Sequence, residues 1–249
     1  MTQFIIIMAV ALGLGVVAII VCLVVAVKRA SERKAAERDR ALEAQGLQQL
    51  DEETIPGALA WVGSLKKLSG GVKNITRAWS GEWEGRPVEC VQHRYVVSTG
   101  QTTAVIQHRL AALPVPTIWP DLQLGEENIF TRIGSAIAGE DLQLEDEAFN
   151  KRWRIRTKDE AFTILLLSPE LQQHLRQAPR GQQWFIIDGR LILMESGEYR
   201  PDDPPRMLKL LLEFHALIPS ELEYWQPEVA SRAEEETVDD VLRIDDDER

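Results

Sequence analysis

Residues 77–113 read RAWSGEWEGRPVECVQHRYVVSTGQTTAVIQHRLAAL. Three runs rich in Val, Ile, Trp, Tyr and Thr are separated by Glu84-Gly85-Arg86 and Thr99-Gly100-Gln101. Closely spaced β-prone runs with Gly-containing turns spell an antiparallel meander. Strands are expected over residues 77–83, 87–98 and 102–113. In the middle run Val88, Cys90, Gln92 and Arg94 alternate with Glu89, Val91, His93 and Tyr95. A pleated strand sends these two sets to opposite faces.

Working outward, Leu113-Pro114-Val115-Pro116 is an extended connector, and 126–138 is an apolar stretch compatible with a helix, broken by Gly134 and Gly139. A further strand is expected over 149–156, and a short helix or strand over 160–167. Ser168-Pro169-Glu170 opens a helix to about Gln177, with Ser168 as cap and Pro169 in the first helical position. Asp188-Gly189 lies between 183–187 and 191–195 and is the strongest hairpin signal in the chain. A last helix starts near Pro205. Met207, Leu208, Leu211, Leu212, His215 and Ile218 follow its buried face, and Pro219 ends it. Before the meander, 55–68 reads as a short helix or irregular lead-in that Gly70-Gly71 breaks. Strands that come in antiparallel groups, not in alternation with helices, favour an α+β fold. A sheet curling into a partial barrel under the C-terminal helix, as in pleckstrin-homology-like modules, is compatible with this order.

Residues 4–27 form an uncharged run, FIIIMAVALGLGVVAIIVCLVVAV. A hydrocarbon core of ~30 Å needs about 20 such residues as a helix. A cleaved signal peptide would carry a basic start and a shorter apolar core, whereas Met1–Gln3 holds no cation and the run ends in Lys28-Arg29. An uncleaved single-pass transmembrane helix is expected. The six cations of residues 28–40 then keep the following chain inside, with the N-terminus outside. The expected location is the inner (plasma) membrane with a cytoplasmic domain. Residues 28–50 read as a charged, water-facing helix. Lys28, Arg29, Arg33 and Lys34 could meet anionic lipid headgroups, although topogenesis alone explains them. The folded domain is expected over 51–227. Residues 228–249 hold ten acids against three arginines and no aromatic residue, the composition of a disordered acidic tail.

The 249 residues carry 28 Lys+Arg and 39 Asp+Glu, a net charge of −11. That balance argues against a nucleic-acid binder. Two cysteines, one of them in the apolar run, cannot build a disulfide framework.

The order of motifs in 140–194 is an acidic–aromatic–Asn–basic strand (EDEAFNKRWRIR), Asp-Glu, a Ser-Pro-Glu-Leu helix, then QQWFIIDGRLIL. Over roughly 75–217 this resembles an uncharacterised family of bacterial membrane-anchored proteins, a domain of unknown function. The resemblance implies a bacterial source and an anchored, non-catalytic domain. It assigns no functional residues.

The candidate sites are few. Lys151, Arg152, Arg154, Arg156 and Lys158 surround Trp153 and Ile155, so a strand would present arginines on one face over a core-facing Trp. Such a face suits a phosphate, a headgroup or an acidic partner; an ordinary solvated face explains it more simply, and the acidic tail could fold back on it. His93 and His108 fall on neighbouring strands and could approach as a metal or catalytic pair, although no histidine has metal-ligand spacing. Asp202 and Asp203 precede Pro204-Pro205 and read as helix caps. Trp79 and Trp83 could present an aromatic binding face, although core packing explains them more simply. Cys90 reads as a small buried hydrophobe. No catalytic motif, cofactor or metal is indicated. The expected role is protein interaction or recruitment at the membrane, with anionic-lipid binding as an alternative and an unrecognised enzyme as a third.

Overall fold

The computed structural model describes residues 2–66, 68–98, 100–126 and 140–226, with side chains from residue 19 onward except 31 and 140. The expected stretch beyond Glu126 and the acidic tail of 228–249 lie outside the described residues. The elements in order are α1 (Thr2–Glu43), β1 (Leu47–Gln49), α2 (Ile55–Ala58), β2 (Ile75–Trp83), β3 (Arg86–Ser98), β4 (Thr103–Pro114), β5 (Leu122–Glu126) and β6 (Glu140–Leu142). Then come α3 (Glu147–Asn150), β7 (Trp153–Thr157), α4 (Glu160–Leu166), α5 (Pro169–Gln177), β8 (Gln182–Ile187), β9 (Arg190–Ser196) and α6 (Asp203–Ala216).

The strands form one antiparallel sheet in the order β1-β2-β3-β4-β9-β8-β5-β7-β6. The fold is α+β. The meander is β2-β3-β4, and the 188–189 hairpin is β8-β9, with Asp188 at φ 46° and Gly189 at φ 67°. Left-handed backbone at both central residues matches the twist of a two-residue hairpin, which Asp-Gly tolerates.

Alternation splits the sheet between two cores. Trp79, Cys90, Ala111, Trp184, Ile186, Leu191, Leu193 and Ile155 face one side. There α6 lays down Met207, Leu208, Leu211 and Phe214, joined by Phe162 of α4, Leu171 and Leu175 of α5, and Leu42 of α1. Ala78, Val91, Leu110, Phe185, Ile187, Ile192 and Met194 face the other side, under Ile55, Leu59, Trp61, Val62, Leu65 and Leu68 of the lead-in. Central strands covered on both faces need apolar residues at consecutive positions, which is why WFII and LILM read as unbroken runs.

The helix caps settle two local ambiguities. Asp159 accepts the Phe162 N–H at 2.9 Å, so 160–166 is helical, as an N-cap aspartate dictates. Asp146 likewise accepts the Phe149 N–H at 3.0 Å. This corrects the expected strand over 149–156: Phe149 belongs to α3, and β7 begins at Trp153. Ser168 caps α5 as expected, accepting the Leu171 N–H at 3.3 Å.

α1 runs without a break from the apolar segment into the domain. Its last turns dock: Leu42 is buried, Arg38 is 2 % exposed, and the Arg38 guanidinium lies 5.2 Å over the Trp79 ring. Asp39 accepts from Arg77 of β2 at 2.7 Å. Among the described residues no helix is long and apolar enough to cross a membrane; only 19–27 of the apolar run have described side chains.

After α1 the chain turns at Gly46 into β1, which pairs with β2 through Leu47↔Gly81. A Cβ on Gly81 would meet the Gly46 carbonyl oxygen at 2.3 Å. Backbone cannot yield as a flexible side chain can. Gly81→Ala is therefore expected to cost about 1–3 kcal/mol of stability, with faster hydrogen exchange confined to β1 and the end of α1. Unchanged exchange in those segments would contradict this account of the junction.

Candidate functional site

The five basic residues of the expected anion site are spread over several partners. Arg152 precedes β7 and donates to the carbonyls of Ala178 at 2.6 Å and Pro179 at 3.2 Å, and to Arg176 O and Glu126. It thus closes the C-terminal end of α5, where carbonyls lack helical partners. Arg154 and Arg156 share one face of β7 and converge on Asp141 of the neighbouring β6. The Arg154 hydrogen bond, with Arg156 beside it, holds Asp141 below the usual carboxylate range. Lys158 donates to Asp121 at 2.5 Å. Lys151 lies 3.9 Å from Glu147, both well exposed. Trp153 and Ile155 are buried beneath, at 1 % and 0 %. Arg152 is a structural clamp, while Arg154 and Arg156 place two cations on one carboxylate at the surface.

His93 and His108 are direct cross-strand partners in the β3–β4 register. They are 0 % and 1 % exposed. Tyr95 packs against both, with ring centroids 5.7 and 6.1 Å away. His93 Nε2 lies 3.0 Å from the Gly71 carbonyl oxygen. Among the described residues no group of three or more His, Cys, Asp or Glu could hold a metal ion. Burial pushes the His93 pKa below its ordinary 6.5, and the Gly71 contact offsets this only in part. The sign follows from the folded state's resistance to protonation. His93 contributes its full stability above about pH 6.5, and that contribution is lost as pH falls below it. Stability is expected to begin falling from about pH 6.5 downward in denaturant titrations; His93→Gln should flatten this upper limb.

Sequence reading missed the densest polar cluster, where β4, β9 and α6 meet. Arg109 donates to Glu195 at 2.9 and 3.1 Å and to Asp203 at 2.7 Å. Arg206 donates to Glu195 at 2.8 and 2.5 Å and to Asp203 at 3.3 Å. Gln182 adds a bond to Glu195 at 3.1 Å. Burial raises the Glu195 pKa, but Arg206, Gln182 and Arg109 outweigh it and hold the carboxyl below its usual range. Asp202 makes no side-chain cap bond. Asp203 is 8 % exposed and accepts the Arg200 N–H at 2.9 Å. The expected acid pair thus divides: Asp203 is an ion-network member, and neither acid caps α6 by a side-chain bond to its first turn.

Next to this cluster lies a cleft of about 630 Å³ between α1 and the 196–202 loop, lined among others by Lys34, Arg38, Arg109, Glu198, Tyr199 and Arg200. Gln92 pins that loop to the sheet. Its Oε1 accepts the Tyr199 N–H at 2.7 Å, and its Nε2 donates to the carbonyls of His108 at 3.1 Å and Gly197 at 3.3 Å. Trp79 is fully buried and Trp83 packs against the core, so the pair presents no aromatic face. Cys90 is buried, and burial first of all raises its thiol pKa to about 12, as expected for an inert core cysteine.

Arg109 and Glu195 gave one sequence signal: a charged residue inside or closing an otherwise apolar strand. Their mutual pairing, 86 residues apart, carries no signal in spacing. Compared with known proteins, the chain matches no family model, no curated protein and no solved structure.

Proposed function

We propose that this chain is a single-pass membrane-anchored protein of the bacterial inner membrane whose cytoplasmic α+β domain recruits a protein partner there. The observation that carries this reading is the continuity of α1. One helix joins the uncharged run of 4–27, the basic stretch from Lys28 and the docked turns at Arg38, Asp39 and Leu42. A helix anchored at both ends is a strut, and a strut holds a domain at fixed height and orientation over the bilayer. Such positioning suits presentation of a surface more than capture by a loose tether. The surface that fits an acidic partner is β7, where two arginines share one carboxylate.

The headgroup alternative keeps its support at Lys28, Arg29, Arg33 and Lys34, which leave the apolar run on α1. It loses support at β7, where Arg152 is consumed by carbonyls and Glu126. The enzyme alternative through His93 and His108 loses support from their burial. A pleckstrin-homology-like partial barrel draws its support from one open antiparallel sheet with α6 packed on one face.

The test is alkaline extraction of membranes from cells making the full chain, with a photo-reactive residue at position 156. Retention in the membrane and one discrete protein adduct are expected. Extraction into the wash would overturn the anchor, and absence of any adduct would overturn recruitment through β7.

A further inference from the structure

The β3–β4 hairpin outruns its neighbours. Pairing with β2 begins at Ile75↔His93, and pairing with β9 stops at His108↔Ser196. Beyond those rows, residues 94–98 and 103–107 pair with each other, through Arg94↔Gln107, Tyr95↔Ile106, Val96↔Val105, Val97↔Ala104 and Ser98↔Thr103, and Gln107 also accepts the Gly197 N–H at 2.8 Å. A two-stranded ribbon without a core is marginal in water. Yet this one is apolar and uncovered: Val96 is 59 %, Val97 43 % and Val105 48 % exposed. Valines stand on both faces, since Val96 pairs with Val105 on one and Val97 with Ala104 on the other. A ribbon that docks one face on a protein has a polar reverse side; a ribbon immersed at its tip in an apolar medium does not. Residues 90–120 also contain no Asp or Glu, in a chain with 39 acids.

The height of this tip follows from the register. Gly81, Trp79 and Arg77 of β2 lie in the rows of Val88, Cys90 and Gln92 of β3. Traced back from Leu42, α1 meets Arg77 through Asp39, and five residues further back its Lys34 borders the cleft with Ser196 and Gly197, Ser196 pairing with His108 opposite His93. Its N-terminal direction is therefore the direction in which β3 runs toward its tip. From Asp39 back to Val27, α1 climbs about 18 Å at ~1.5 Å per residue. From Gln92, level with Arg77, to Val97, β3 climbs about 17 Å at ~3.4 Å per residue. The two climbs match, so an α1 laid along β3 brings the Val27–Lys28 boundary, where the uncharged run ends, level with Val97.

We infer that the tip of the β3–β4 hairpin, around Val96, Val97 and Val105, dips into the interface of the same bilayer that α1 enters, as a second membrane contact. The inference rests on the reading of α1 as a span. Val96, Val97 and Val105 enter the acyl boundary with the uncharged Ser98–Thr103 row beyond them, Tyr95 sits at headgroup depth, and Arg94 meets lipid phosphate. The absence of carboxylates spares the tip repulsion from anionic lipid. Two contacts on separate elements fix the domain against rotation about α1, which a single helix cannot do.

The full chain is reconstituted into liposomes of phosphatidylcholine and phosphatidylglycerol, with and without nitroxide-labelled lipid. An environment-sensitive fluorophore is placed at Val97→Cys in a Cys22→Ala background, at Lys209→Cys in the same background as a control on α6, and at native Cys22. Emission at position 97 should shift to the blue and lose roughly half its intensity to nitroxide lipid, as a group held ~5–10 Å into the headgroup boundary would; position 209 should do neither. Water-like, unquenched emission at 97 with quenching at Cys22 overturns the hairpin contact and leaves the span standing. No quenching at Cys22 overturns both. Protection of position 97 in native membranes without quenching in liposomes overturns the lipid contact in favour of a protein partner.

Discussion

Replacing Glu195 with alanine should destabilise the domain by about 3–5 kcal/mol, the usual cost of stranding buried charges. Glu195 is 6 % exposed and takes hydrogen bonds from Arg109, Arg206 and Gln182. Without it, two guanidinium groups share Asp203 alone. The loss reaches beyond local charge, because Arg109 sits on β4, Glu195 on β9, and Asp203 and Arg206 on α6. The network thus clamps the N-terminal end of α6 to the two strands beneath it. Glu195→Gln keeps a hydrogen-bond acceptor but not the charge, and should fall between wild type and alanine. Glu195→Ala combined with Arg206→Ala should cost less than the sum of the single changes, with a coupling of roughly 1–3 kcal/mol. Denaturant unfolding followed by tryptophan fluorescence reads all four variants. Additive losses would contradict the network. Because the native carboxyl is held low, this contribution is present above the ordinary glutamate range and is lost as pH falls through the lower folded value. Acid should therefore lower stability in two ranges, first through the buried His93 and His215 and then through the carboxylates Glu195 and Asp141.

Trp184→Ala should cost about 3–5 kcal/mol, in the range for deleting a buried aromatic side chain. Trp184 lies near the middle of the sheet on β8, 1 % exposed, with its ring stacked 4.7 Å from that of Phe214 on α6. It is one of the points at which α6 rests on the sheet. Among the described residues its indole N–H has no hydrogen-bond partner, so the residue contributes through packing. Trp184→Phe removes an unsatisfied donor and keeps a ring, and should lose under ~1.5 kcal/mol. Against a total of about 5–15 kcal/mol, the alanine variant should lower the melting temperature by roughly 10 °C. A phenylalanine variant as damaged as alanine would contradict the packing account.

What the sequence made legible was local. The meander turns, the Asp188-Gly189 hairpin, the Ser168-Pro169 start and the burial of Met207, Leu208 and Leu211 on α6 all rest on contacts within a few residues, whereas the expected Leu212, His215 and Ile218 are only partly buried and Phe214 takes the place on that face. β5 was not legible: LQLGE contains Gln123 and Gly125 yet is buried throughout, because strands on both sides cover it, and those strands arrive 30 and 60 residues later. β1 and β6, three residues each, are too short to show a period. Phe149 read as strand because Asp146 as a cap and aromatic residues as β-formers gave opposite signals, and the cap prevailed. At the basic stretch the residue types were legible but the partners were not. Asp121, Glu126, Asp141 and Glu147 reach these cations from other elements, and only the fold brings them together. The same holds for Arg109 and Glu195.

The most direct measurement of the proposed anchored, cytoplasmic arrangement is a pair of reporter fusions after Arg249, one active only in the cytoplasm and one only outside. Signal from the cytoplasmic reporter alone is expected. Signal from the outside reporter alone would contradict the charge-based orientation, move the domain to the envelope and redirect the search for its partner there.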